Sequence, residues 1–378
     1  MQPKKFPIQK SITILALSLG LGLFSAEAKA DSWPMFLKTP AHSSYTEKAP
    51  VPPLTLKWKF MAKGAIFASP VVNNNTVYAA SYDKNLYAID AATGNMLWSF
   101  PTQAEIVSTP AVFEDKVLVG SKDGNIYAVE AATGKLVWKH NTGGAVQTSL
   151  LVAEGMVYAG SSDLYLYAID LSTGKRAWRM KMPDYEKYSG IYATPAYSDG
   201  SIYGAGKNGL IYSVSAKSGG RNWSKRTQSA IYSSPAIKDG IIYVSSYDRS
   251  IYALDAKTGK FVWRKNMDNE IAYASPVITK DKLYMAFKNG HIKVFNKANG
   301  TESADYKFPA EINSTPAVSG NGLLYVGCED GYLYAVDLKA GEVAWKYQTN
   351  GGVHSSPVVF ENAVYITSED GGIYSFTK

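Results

Sequence analysis

Side chains able to hold a ligand recur at one position in this sequence, three residues ahead of a repeated proline slot. In chain order they are Phe67, Val107, Gln147, Tyr192, Tyr232, Tyr273, Asn313 and His354. Tyrosine faces stack and phenol hydroxyls bond, so this set suits a small molecule, a glycan or a peptide; the alternative is that the rings only fill space. Catalytic signatures are missing from the sequence. The four histidines, His42, His140, His291 and His354, have no metal-ligand spacing. There is no G-x-S-x-G elbow, phosphate-binding glycine loop or H-E-x-x-H. Two carboxylate pairs, Glu329-Asp330 and Glu369-Asp370, fall at equivalent turns and so come close in space, either as a cation site or as two solvated turns.

The elements that position these residues are repeats. The stretch Ala88-Ile89-Asp90, Thr93-Gly94 and Trp98 recurs as Ala128-Val129-Glu130, Thr133-Gly134 and Trp138, and again around Trp178, Trp263 and Trp345. A strand ends at the acidic residue, Thr-Gly turns the chain, and the next strand carries the Trp. The proline slots (Pro70, Pro110, Pro195, Pro235, Pro276, Pro316 and Pro357, with Leu150 in one place) lie 40, 40, 45, 40, 41, 40 and 41 residues apart. Eight units follow, each the length of a four-stranded propeller blade. Hairpin pairs such as Asp123-Gly124, Asn208-Gly209 and Asp370-Gly371 separate the second and third strands.

The last unit ends at Lys378, before its Trp strand, and the missing strand stands at Leu54–Phe60, where Trp58 precedes Pro70 by 12 residues as Trp98 precedes Pro110. The expectation is an all-β, eight-bladed propeller of four-stranded antiparallel blades over 54–378, closed by an N-terminal strand. Residues 31–53 form an extension and 1–30 a cleaved export signal. That signal has Lys4, Lys5 and Lys10, an apolar Ile12–Phe24 and a cleavage site at Ala28-Lys29-Ala30.

Removing the leader takes away four Lys and one Glu, so the formal charge falls from +7 to +4. That mildly basic surface is too weak to argue for nucleic acid on its own, and no nucleic-acid partner is expected. Cys328 is the only cysteine, so no internal disulfide forms. The expected product is a periplasmic or secreted monomer with no transmembrane anchor.

The A-x-D-x-x-T-G-x-x-x-W repeat resembles the tryptophan-docking repeat of PQQ-like (quinoprotein-type), BamB-like eight-bladed propellers. The resemblance implies that Trp58, Trp98, Trp138, Trp178, Trp223, Trp263 and Trp345 pack between blades as a girdle. In the sixth unit Ala304 replaces the Trp, and Tyr306 or Phe308 is expected to fill the seam. Quinone dehydrogenases of this kind hold PQQ against a vicinal disulfide beside calcium. A single cysteine cannot make that disulfide, so no cofactor is expected, with PQQ and calcium as the alternative.

The interval from Trp to the next proline slot is 12 or 13 residues except from Trp178 to Pro195, where it is 17. The additional residues, 182–190, contain Tyr185, Lys187 and Tyr188 and resemble the Met-Pro docking loop of BamB-like proteins. Together with Tyr192, Tyr232, Tyr273 and His354 they are the candidate partner- or ligand-binding residues. Lys84, Lys122, Lys207, Arg249 and Lys288 flank hairpin turns of five units, and Glu329 and Glu369 those of two others, a dipolar rim. The function expected is a non-catalytic scaffold for an envelope or secreted protein partner, of a kind that aids outer-membrane protein assembly. The alternatives are a PQQ-dependent oxidoreductase and a carbohydrate- or peptide-binding module.

Overall fold

A computed structural model describes residues 32–183 and 191–378. The expected export signal and the Tyr185, Lys187 and Tyr188 positions lie outside the described residues. The described chain is built of strands and turns, arranged as eight blades around a central channel. Blade 1 is typical: an inner strand Val71–Asn73, then Thr76–Ala80, Asn85–Asp90 and an outer strand Met96–Pro101, each antiparallel to the last. Blade 8 takes its inner three strands from Val358–Phe360, Ala363–Thr367 and Gly372–Thr377. Its outer strand is Thr55–Met61, with Trp58 opposite Ser375, so the ring is closed by the N-terminal strand.

The Trp repeat has a physical explanation. Trp58, Trp98, Trp138, Trp178 and Trp223 donate their indole N–H to the carbonyls of Ala91, Ala131, Leu171, Ala216 and Ala256 in the next blade, at 2.8–2.9 Å. Trp263 does the same to Lys297 at 3.0 Å. Each accepting carbonyl follows the first residue of the turn, which is acidic in four of the six and Ser215 or Asn296 in the other two, and the turn glycine lies under the indole. A Cβ added at Gly134, which has φ 71°, would stand 2.7 Å from the Trp98 ring. The glycine thus meets two demands, a left-handed backbone and a ring pressed against it. Where Ala304 replaces Trp, the Tyr306 hydroxyl reaches the equivalent carbonyl, Leu338, at 3.5 Å. Trp345 lies edge-on to Phe376, 5.5 Å away, in the blade whose chain ends before a Thr-Gly turn.

A second belt lies nearer the axis. At seven of the eight slots the Ser or Thr before the proline position accepts a hydrogen bond from the backbone N–H of the same slot in the preceding blade. Ser69 donates to Thr109, Thr109 to Ser149, Thr194 to Ser234, Ser234 to Ser275, Ser275 to Thr315 and Thr315 to Ser356. Ser356 then donates to Ser69 at 2.9 Å, carrying the belt across the junction of the two chain ends.

The N-terminal extension is a structural element in its own right. It runs beneath the ring: Trp33 bridges to Val72, and Pro34, Pro40 and Ala41 accept from Val112, Tyr197 and Ile237. Tyr45–Thr46 then adds a short parallel strand to blade 7, which therefore has five strands where the sequence suggests four. Trp33, Met35, Leu37 and His42 are buried along this path.

Candidate functional site

The inner strands begin at one face of the ring, and the residues just ahead of them surround the axis. The repeat register therefore brings Phe67, Val107, Gln147, Tyr192, Tyr232, Tyr273, Asn313 and His354 together around one cavity of about 360 Å³. Phe36 of the N-terminal segment also lines it. Since that segment crosses beneath the ring, the channel is floored at that end and, among the described residues, open on the hairpin face.

The three tyrosines form a continuous arc: Tyr192 and Tyr232 have centroids 6.4 Å apart, and Tyr232 and Tyr273 stack at 5.4 Å with their planes 22° apart. Tyr247, which the repeat position did not single out, joins Tyr232 at 4.7 Å. It stands one residue ahead of Asp248, at the hairpin of blade 5; Tyr82 of blade 1 has the same place and packs on Phe67 at 4.9 Å. An aromatic residue directly before the hairpin aspartate was the signal available for both. Two rim lysines lie on these rings: Lys207 Nζ is 4.3 Å from the Tyr192 centroid and Lys122 Nζ is 4.5 Å from that of Tyr82.

The acidic pairs separate into two roles. Asp330 and Asp370 accept from the hydroxyls of Tyr334 and Tyr374 four residues on, and Asp370 also accepts from the Asn350 backbone N–H of the preceding blade. Burial alone would raise the Asp370 carboxyl, but the Tyr374, backbone and Lys59 bonds hold it below its ordinary value. The same Asp-to-Tyr contact recurs at Asp83–Tyr87, Asp123–Tyr127, Asp163–Tyr167 and Asp248–Tyr252. These aspartates are latches within and between blades, and the D-x-x-x-Y spacing was visible in the sequence.

Glu329 and Glu369 turn instead toward the channel mouth and take opposite sides of one imidazole. His354 Nδ1 is 2.9 Å from Glu329 Oε1, and Nε2 is 2.9 Å from Glu369 Oε1. Asn313 donates its amide to Glu329, leaving its buried Oδ1 without a donor. Beside them is Gly352, where a Cβ would come within 3.0 Å of Glu369 Oε2 and 3.2 Å of Glu329 Oε2, so glycine makes room for both carboxylates. Among the described residues, no group of three or more His, Cys, Asp or Glu is arranged to hold a metal ion. Burial pushes the Cys328 thiol up to about 12, and its Sγ faces backbone carbonyls, which makes it a packing residue rather than a nucleophile.

Comparison with known proteins points to two groups. Over 51 residues the chain is 47% identical to the quinone-dependent 1-butanol dehydrogenase of Thauera butanivorans, which covers 12% of the chain and 8% of that enzyme. It is 28% identical over 103 residues to the outer membrane protein assembly factor BamB of Yersinia pestis, covering 27% of the chain and 26% of that protein. The matched stretches thus span well under two thirds of these relatives. The structure of BamB from Moraxella catarrhalis superposes with a TM-score of 0.75 at 16% identity, covering 86% of this chain and all (100%) of that one. A europium-containing methanol dehydrogenase superposes with a TM-score of 0.84 at 15% identity, covering 93% and 99%. At such identities the superpositions speak for the propeller fold alone. The family model for outer membrane protein assembly factor BamB matches residues 55–109, 103–188, 166–314 and 288–378, the whole propeller, and the chain belongs to that family.

Proposed function

We propose that this protein is an exported, non-catalytic scaffold that docks an envelope protein through its hairpin face and aids outer-membrane protein assembly. The observation that carries the reading is the match of an assembly-factor family across every blade, from residue 55 to residue 378. The rim supports it: Lys122 and Lys207 lie on blades 2 and 4, while Glu329 and Glu369 stand on blades 7 and 8. Charge segregated in this way orients a partner of complementary pattern.

The residues of the channel do not fit a metal-bound quinone. Glu329 and Glu369 are turned to His354 rather than to a shared cation position. Among the described residues the cavity lining contains no Lys or Arg to neutralise the carboxylates of such a quinone. The oxidoreductase reading draws on the stretch shared with a quinone-dependent dehydrogenase. It predicts dye reduction by the purified chain with added PQQ and calcium.

The test is capture. Immobilised residues 31–378 are expected to retain a β-barrel assembly component from detergent-solubilised outer membranes. Lys122→Glu with Lys207→Glu, and separately Tyr185→Ala with Tyr188→Ala, should reduce that capture while thermal stability holds. Retention of nothing, together with quinone-dependent dye reduction, would replace the scaffold by the enzyme.

A further inference from the structure

The channel is floored by Phe36 and, among the described residues, open on one side, so it is a pocket rather than a pore. Its wall has a chemical pattern set by blade order. In an eight-bladed ring, blades 1 and 5 face each other, as do blades 3 and 7. Phe67 on blade 1 therefore stands across the axis from Tyr232 on blade 5, and Gln147 on blade 3 from Asn313 on blade 7. An aromatic residue thus stands at each end of one diameter, and an amide at each end of the diameter at right angles.

Several of these groups have hydrogen-bonding capacity to spare. Asn313 Oδ1 is buried without a donor. The Gln147 side chain has no hydrogen bond to the described residues. The slot hydroxyls that line the cavity use their oxygens to accept from the neighbouring blade, which leaves their hydrogens to be given into the channel. Tyr273, in the middle of the molecule, is nonetheless 42% exposed, with its ring stacked on Tyr232. Among the described residues no Lys, Arg, Asp or Glu lines the cavity, so a charged ligand finds no countercharge from them inside.

We propose that this pocket binds a neutral saccharide of one or two rings, stacked on Tyr232 and held at its edges by Gln147 and Asn313. A pyranose has apolar C–H faces for the aromatic walls and a rim of hydroxyls that both donate and accept, which answers the amides and the hydroxyl belt together. A cavity of about 360 Å³ is of small-molecule size. The site lies inside the ring, and the rim residue Lys207 stands over its Tyr232, with Nζ 5.4 Å from the ring centroid.

Purified residues 31–378 are titrated with maltose, cellobiose and N,N′-diacetylchitobiose by calorimetry and by ligand-observed NMR. At least one is expected to bind saturably. Tyr232→Ala and Gln147→Ala should each weaken it by about tenfold or more. Tyr232→Phe keeps the ring and should retain binding, which guards against a folding artefact. The proposal is overturned if none of the three saccharides binds at millimolar concentration, or if affinity is unchanged in both alanine variants. Saturation by a tripeptide or by PQQ where no saccharide binds also overturns it. Rim capture should be unaffected by Gln147→Ala, so failure here and failure of the docking reading are separately visible.

Discussion

A buried indole needs a partner for its N–H, and this chain supplies one a blade away for six of its tryptophans. Trp138 packs in the core shared by blades 2 and 3 and bonds Leu171 O at 2.9 Å. Trp138→Ala should cost about 3–5 kcal/mol of unfolding free energy by chemical denaturation; a loss below about 1 kcal/mol would deny the girdle its role. His42 is a different case. It is fully buried, its Nδ1 is 2.7 Å from Pro235 O, and burial lowers it from 6.5 to about 4 in spite of that bond. A histidine whose folded value lies below its unfolded one binds fewer protons when folded, so stability falls as pH drops from about 6.5 through about 4. The loss should approach roughly 3 kcal/mol, and His42→Leu should flatten the profile in that window. The tryptophans were legible because they recur beside Thr-Gly. His42 was not, because it belongs to a segment without repeats and its partner is 193 residues away.

At the scale of elements, the outer strands and the N-terminal segment solve opposite problems. Outer strands leave apolar side chains in solvent, among them Leu97 at 54% and Phe261 at 51% exposure. Each blade also shows a register shift near the Trp, as between Ala88 and Ile89 or between Ala253 and Leu254. Such irregularities twist an edge and discourage further strand pairing. The N-terminal segment buries Trp33, Met35 and Leu37 beneath the channel. Deleting residues 32–50 should lower stability by about 5 kcal/mol or more, on the burial of those three side chains alone. Differential scanning calorimetry checks this; an unchanged melting temperature would mean that the segment only rests against the ring. The strand order was readable from hairpin pairs and proline slots, since both are local. The floor and the fifth strand of blade 7 were not, because residues 31–53 have no periodicity and their structure is set by the ring they cross.

For the whole molecule, closure fixes everything else. Thr55–Met61 completes blade 8, and the Ser356–Ser69 bond continues the inner belt across the same junction. On such a rigid ring, a repeat position becomes a place in space. That is why residues 40 or so apart in sequence could be assigned to one channel mouth, and why the Tyr192–Tyr232–Tyr273 arc was legible. The division of Glu329 and Glu369 from Asp330 and Asp370 was not, because adjacent carboxylates in a turn point to different neighbours only once the blades are packed. The measurement that bears most directly on the scaffold reading is a titration of residues 31–378 with a purified β-barrel assembly component at low and high salt. Binding should be saturable, weaken with salt and be lost in Lys122→Glu with Lys207→Glu, whose melting temperature stays that of the parent. No binding at either salt concentration, or binding indifferent to that charge reversal, would contradict the scaffold reading.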